Sequence, residues 1–162
     1  MFEDVMKAGP LAKEPCVNVK VRLMDCTLHE DAIHRGPAQM YPAVREGIRG
    51  AMMQAGPLLY EPLQVTRIEV PNEYVGEISK LVSSKRGQLL EMNQEGDVNV
   101  IIAKLPVGEL FGWSNALRSG TGGRGSSSLV DQSFEVLPRE LQDKIRAQIV
   151  ERKGLTAGNL GA

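Results

Sequence analysis

The residues with chemical potential crowd into one short stretch, where Cys26, His29, Asp31 and His34 follow one another closely. Thiolate, imidazole and carboxylate are the donors a metal ion takes, but Cys-x2-His-x4-His is not a zinc spacing and no second cluster completes a set, so no metal site is expected. Nucleophilic catalysis fares no better. No G-x-S-x-G elbow occurs, and Cys26 has no evident residue to orient it. Glu30 and Asp31 are adjacent in a polar run, where solvated carboxylates are the simplest reading. What remains is His34, between Ile33 and Arg35 and beside the Gly36-Pro37 turn signal. It is either an exposed loop histidine without a role or part of a recognition tip. In the second case His34, Arg35 and Gln39 would reach phosphates, sugar hydroxyls and base edges in a groove.

A second stretch, Gly120-Thr121-Gly122-Gly123-Arg124-Gly125, matches G-x-G-x-x-G by spacing. A dinucleotide site needs that pattern after a strand and ahead of a helix. Here a helical pattern precedes it and a strand pattern follows, and no Lys-Ser/Thr pair closes it as a P-loop. It reads as a flexible helix-to-strand connection. A weaker functional reading has Arg118, Arg124 and exposed backbone amides touching RNA phosphates.

The elements that must position these residues follow from periodicity. Residues 17–23 alternate Val17, Val19, Val21 and Leu23 with Asn18, Lys20 and Arg22, the pattern of a half-buried strand. The polar loop with His34 comes next. Pro42 suits the first turn of a helix whose Val44, Ile48, Met52 and Ala55 share a face, with Arg45, Glu46 and Arg49 opposite and Gly56-Pro57 as its stop. Beyond it the order is strand (63–70, with a phase break near Thr66-Arg67), helix, strand (88–92), strand (98–105), helix (107–118), strand (128–137). Asn72 is the expected cap of the first of these helices and Gly87 its stop, while Val130, Phe134 and Val136 share one face of the last strand. This βαββαβ order is the ferredoxin-like arrangement. Pro138 opens a terminal helix bearing Leu141, Ile145 and Ile149, and residues 156–162 read as frayed. The fold class is therefore α+β: a strand-loop-helix portion in residues 1–58, then a ferredoxin-like domain with a C-terminal helix in residues 59–162.

Composition is ordinary for a globular chain, with 42% hydrophobic and 24% charged residues. A formal net charge of −1 makes any RNA contact a matter of local patches. No apolar run is long enough to span a bilayer and the first residues do not form a signal peptide, so a cytoplasmic protein without membrane contact is expected. Cys16 and Cys26 flank the strand-like run. Ten extended residues at about 3.3 Å each hold them beyond disulfide reach.

The run Asp25-Cys26-Thr27-Leu28-His29-Glu30-Asp31-Ala32-Ile33-His34-Arg35-Gly36-Pro37-Ala38-Gln39 resembles the domain IV tip loop of archaeal elongation factor 2. The similarity continues through Leu58-Leu59-Tyr60-Glu61-Pro62, Ser84-Lys85-Arg86-Gly87, Leu105-Pro106-Val107, Phe111-Gly112-Trp113, the run from Leu117 to Gly123, and Arg152-Lys153-Gly154-Leu155. Gly36-Pro37-Ala38, where eukaryotic members have three glycines, points to archaea. The resemblance implies the end of domain IV followed by domain V of a ribosomal translocation factor. It makes His34 the acceptor of the diphthamide modification, with His29, Asp31, Arg35, Gly36, Gln39, Arg118 and Arg124 as candidate ribosome or RNA contacts. Implied partners are ribosomal RNA, the transfer RNA–messenger RNA duplex at the decoding site, and the diphthamide-synthesis enzymes. No Walker A or guanine-specificity motif is present, so GTP and magnesium would belong to the family's GTPase domain and this chain is not expected to be an enzyme. An incomplete domain IV sheet would leave residues 17–23 as an edge prone to self-association. The alternative is a stand-alone ferredoxin-like protein that binds a metabolite or a protein and has no ribosomal role.

Overall fold

The computed structural model describes residues 2–156, which form two compact units. One comprises the described residues up to Leu59 together with those from Leu137 onward; the other is Tyr60–Val136.

The second unit is a four-stranded antiparallel sheet of β1 (Tyr60–Pro71), β2 (Gln88–Glu95), β3 (Val98–Pro106) and β4 (Ser126–Val136), in spatial order β2-β3-β1-β4. Helices α3 (Val75–Ser84) and α4 (Trp113–Gly120) supply the two crossovers, giving the expected ferredoxin-like βαββαβ topology. Side-chain alternation decides what is buried. Ile68 pairs with Ile101 and Thr66 with Ala103, so Thr66, Ile68 and Val70 of β1 share a face with Ile101, Ala103 and Leu105 of β3. Against that face pack Ile78 and Val82 of α3 and Trp113 and Leu117 of α4, closing one apolar core. The Trp113 indole N–H, which could not be buried unpaired, donates to Ser127 Oγ at 3.1 Å.

Several boundaries depart from the periodicity. The helix expected over residues 107–118 is interrupted: Val107–Glu109 is a 3-10 turn, Gly112 adopts φ 75°, and α4 begins only at Trp113. Glycine tolerates that left-handed geometry, which redirects the chain so that Trp113 enters the core. Asn72 does not cap α3. It opens a 3-10 turn, and its side-chain oxygen accepts from Asn99 instead. The left-handed residue after α3 is Arg86, at φ 54°, rather than Gly87. The irregularity expected near Thr66-Arg67 sits on the partner strand: β1 keeps continuous register with β3, while β4 skips Val130 opposite Val65 and Thr66. Val130, Phe134 and Val136 are all exposed, so that apolar face is not a core face.

In the first unit α1 (Phe2–Lys7) has no counterpart in the sequence periodicity, and the expected strand over residues 17–23 is absent. Val17, Val21 and Leu23 are exposed, and Asn18 has φ 56°. A strand is defined by a neighbour that takes its backbone hydrogen bonds, and none of the described residues supplies one here; the left-handed Asn18 breaks the extended run besides. Helix α2 (Pro37–Gln54) starts five residues earlier than Pro42 suggests, with Pro37 in its first turn and Pro42 inside. Arg49, placed on the outer face by pattern, is buried beside Ile48. The last helix, α5 (Arg139–Arg152), keeps Leu141, Ile145 and Ile149 half-buried. Its bonds stay within the first unit. Gln142 Oε1 accepts from Leu59 N at 2.8 Å, and Arg146 Nε donates to Leu11 O at 3.1 Å. Lys153 Nζ donates to Lys13 O at 2.9 Å and pairs with Glu14 at 2.8 Å. Of the terminal residues read as frayed, those from 157 on lie outside the described residues.

Gly87 shows why one glycine is required without any special dihedral. A Cβ there would lie 2.6 Å from Leu105 Cδ2, 2.7 Å from Val82 Cγ1 and 2.9 Å from the Val82 carbonyl. Gly87→Ala should therefore cost about 1–3 kcal/mol by overpacking. Gly76→Ala, in α3 with nothing within 4 Å of the added methyl, should instead gain about 0.5–1 kcal/mol. Urea denaturation of the two variants beside the parent checks both signs.

Candidate functional site

The loop before α2 is built from local hydrogen bonds. Asp31 caps a 3-10 turn, Ala32–Arg35, with its carboxylate accepting from Ile33 N at 3.1 Å while its carbonyl accepts from His34 N at 3.2 Å. Short polar side chains favour this geometry because they satisfy an amide two residues on. His29 Nδ1 in turn accepts from Asp31 N at 3.1 Å. Arg35 folds back across the same segment: Nε donates to His29 O at 2.6 Å and a terminal nitrogen to Glu30 O at 2.8 Å. The His29 and His34 rings meet edge to face, 4.6 Å between centroids and 65° between planes.

Gly36 then joins the turn to α2. Its carbonyl accepts from Gln39 N at 3.1 Å and Met40 N at 3.0 Å, and Pro37 occupies a first-turn position where a missing N–H costs nothing. The turn therefore runs directly into an eighteen-residue helix. His29, Asp31, His34, Arg35, Gly36 and Gln39, singled out from the sequence, fall within this one assembly, and the His34 side chain stands in solvent. Its neighbour Ile33 is 74% exposed. What pattern reading missed is the division of labour: Asp31, His29 and Arg35 brace the turn that presents His34. The Asp-x-Ile spacing was the available signal for the cap; the backward reach of Arg35 left none.

As donors for a metal, these residues are already committed. Asp31 Oδ1 and His29 Nδ1 each hold a backbone amide, and the described residues contain no group of three or more His, Cys, Asp or Glu placed to hold an ion. The two thiols differ. Cys26 is exposed, whereas burial pushes the Cys16 thiol up from its ordinary value.

Arg118 and Arg124 belong to the other unit. Arg118 is exposed in the last turn of α4. Arg124 lies over the Tyr74 ring, 4.8 Å from its centroid, and donates to the Tyr74 hydroxyl and the Glu73 carboxylate. Those bonds hold its guanidinium charged, raising it above the ordinary arginine value, with the Tyr74 hydrogen bond the largest cause. The glycine loop between them is a connection from the end of α4 to β4, with Gly122 and Gly123 at φ 56° and 80°. The helix N-terminus that would face a nucleotide phosphate is at its other end, so these residues do not fit a nucleotide. At the start of β1, Arg86 grips Glu61 at 2.8 Å and Glu109 at 3.0 Å. These two carboxylates keep its guanidinium above the ordinary value, the Glu61 hydrogen bond contributing most.

A ferredoxin-like unit, together with a helix that carries a braced and exposed histidine turn, defines a two-unit α+β module. Comparison gives its family. Residues 1–56 match the model for elongation factor G domain IV, and residues 58–145 match that for the elongation factor G C-terminus. Elongation factor 2 of Methanocaldococcus jannaschii is 53% identical over 154 residues, covering 95% of this chain and 21% of that protein. The elongation factor 2 proteins of Pyrococcus furiosus and Nanoarchaeum equitans are 53% and 52% identical over the same share. A crystal structure of a Thermus thermophilus protein superposes with a TM-score of 0.74 at 27% identity, over 92% of this chain and 22% of that one. The chain belongs to the elongation factor G and elongation factor 2 family, and it spans about a fifth of the length of the curated relatives it matches. No helix among the described residues is long and apolar enough to cross a membrane.

Arg35→Ala removes two bonds that span the loop. Amide exchange at Ile33 and His34 should then quicken roughly tenfold, with the global unfolding midpoint unchanged, since the turn is exposed and local. Hydrogen-exchange NMR on parent and variant measures both.

Proposed function

We propose that this chain is the C-terminal part of a ribosomal translocation factor whose His34 is the acceptor for diphthamide and is presented to the decoding site. One observation carries the reading: in a member of this family, His34 stands exposed on a turn whose backbone is held by His29, Asp31 and Arg35. The physics of the encounter supports it. A transfer RNA–messenger RNA duplex offers an A-form minor groove, read by shape and by contacts to 2′-hydroxyls and phosphates. An exposed turn on a long helix suits that role, and Arg35, Gly36, Gln39, His29 and Asp31 line the approach. Conversion of His34 to diphthamide lengthens the imidazole and adds a fixed cation, extending its reach to backbone phosphates. In the other unit, Arg118 is the better placed of the two arginines for ribosomal RNA, because Arg124 is engaged with Glu73 and Tyr74.

GTP hydrolysis, with its magnesium, belongs in this reading to another domain of the factor, and the present residues supply contact rather than catalysis. The setting is the cytoplasm, and the diphthamide-synthesis enzymes are the partners that act on His34. Residues 17–23, which expose Val17, Val21 and Leu23 and have no strand partner among the described residues, are where a second copy would pair.

The test is enzymatic. Purified archaeal diphthamide-synthesis enzymes should add the modification's mass to the peptide containing His34, and His34→Gln should abolish the addition. An unmodified His34 in folded protein, with a full-length relative modified in parallel, overturns the proposal.

A further inference from the structure

We infer that the first turns of α5 wall a binding site for a small zwitterion, a free α-amino acid with an aliphatic side chain; the inference does not depend on the function proposed above. The site is an open cavity of about 340 Å³, lined wholly by residues of the first unit and by none of the His34 turn. That volume is at the small end for ligand sites and fits a compact molecule. Leu11, Leu58 and Leu59 form its apolar wall, and Arg139, Asp143 and Arg146 its charged one.

The walls are held in place before anything binds. Gln142 uses its whole side-chain amide on the backbone: Oε1 accepts from Leu59 N at 2.8 Å, and Nε2 donates to Leu59 O at 3.1 Å and Leu137 O at 2.7 Å. Arg146 Nε donates to Leu11 O at 3.1 Å. Side chains of α5 thus pin both segments that carry the leucines, and little ordering is left for binding to supply.

The charged groups are not used up in this way. Arg139, Asp143 and Arg146 stand four and three residues apart, which places them on one face of the helix. No ion pair joins Asp143 to either arginine, and among the described residues the side chains of Arg139 and Asp143 and the terminal nitrogens of Arg146 have no partner. Two guanidinium groups with a carboxylate between them, beside an apolar wall, have a definite complement. A carboxylate answers an arginine fork, an ammonium answers Asp143, and an aliphatic chain answers the leucines. A fatty acid would bring its carboxylate up to Asp143 with no cation to offset it. An alkylamine would meet two like charges. A free α-amino acid carries all three groups on one carbon.

NMR titration of the isolated chain with L-leucine tests this, with N-acetyl-leucine, which lacks the ammonium, and leucinamide, which lacks the carboxylate, in parallel. L-Leucine should shift the amides of Leu11, Leu58, Leu59 and residues 139–146 saturably, with a Kd on the order of 1 mM. Each analogue should bind roughly tenfold more weakly. Asp143→Asn should weaken L-leucine to the level of N-acetyl-leucine. Arg139→Gln should weaken both carboxylates and leave leucinamide unchanged. Both side chains are exposed and make no bond to the described residues, so the fold should survive either change, and an unaltered spectrum away from the cavity verifies it. No saturable shift at the cavity, an analogue that binds as well as L-leucine, or folded variants that bind like the parent would each overturn the inference.

Discussion

Strand β1 has hydrogen-bonded neighbours along both edges, β3 on one side and β4 on the other, and this double pairing determines where the rest of residues 60–136 can go. With β1 held in register from Leu63 opposite Pro106 to Pro71 opposite Val98, the side chains of Thr66, Ile68 and Val70 must emerge on one face. The crossovers then have one apolar surface to cover, and α3 and α4 cover it with Ile78, Val82, Trp113 and Leu117. The close approaches follow. Leu105 and Val82 meet over Gly87 because nothing larger fits, and Arg86 is left in a left-handed conformation that its grip on Glu61 and Glu109 helps to hold.

The histidine loop is organised by the opposite logic. It has no sheet to lean on, so its order comes from bonds that span six residues at most, each of modest net worth. Such an assembly is stable enough to favour one presentation of His34 and weak enough to yield when a larger surface arrives. A recognition tip benefits from that combination, because little ordering is left to be done on binding while side chains can still adjust. Helix α2 gives the loop a rigid base through Gly36 and Pro37.

Much of this was legible in the sequence, for identifiable reasons. The βαββαβ order showed most firmly where elements bury a face, in β1, β3, α3 and α4, because burial writes periodicity, whereas β2 and β4 are exposed along nearly their whole length. Elements whose apolar positions stay exposed misled: residues 17–23 alternate like a strand yet have no strand partner among the described residues, and Val130, Phe134 and Val136 read as a core face yet are exposed. Buried Arg49 defied its pattern because charge alone does not say which helix face turns inward. The membership of the His34 loop was readable through its resemblance and its turn residues. The acceptor role of His29 and the backward reach of Arg35 were not, since neither leaves a mark in spacing; both arise from how a 3-10 turn folds the chain over itself.

The most direct measurement of the central claim is directed hydroxyl-radical probing from the tip. An iron chelate tethered to a cysteine at position 38, with Cys16 and Cys26 replaced by serine, would be placed in the full-length factor carrying this region and bound to ribosomes. Cleavage of small-subunit RNA around the decoding site is the expected result. Cleavage confined to the large subunit, or none from a factor shown to be bound, would contradict the placement of His34 at the decoding site.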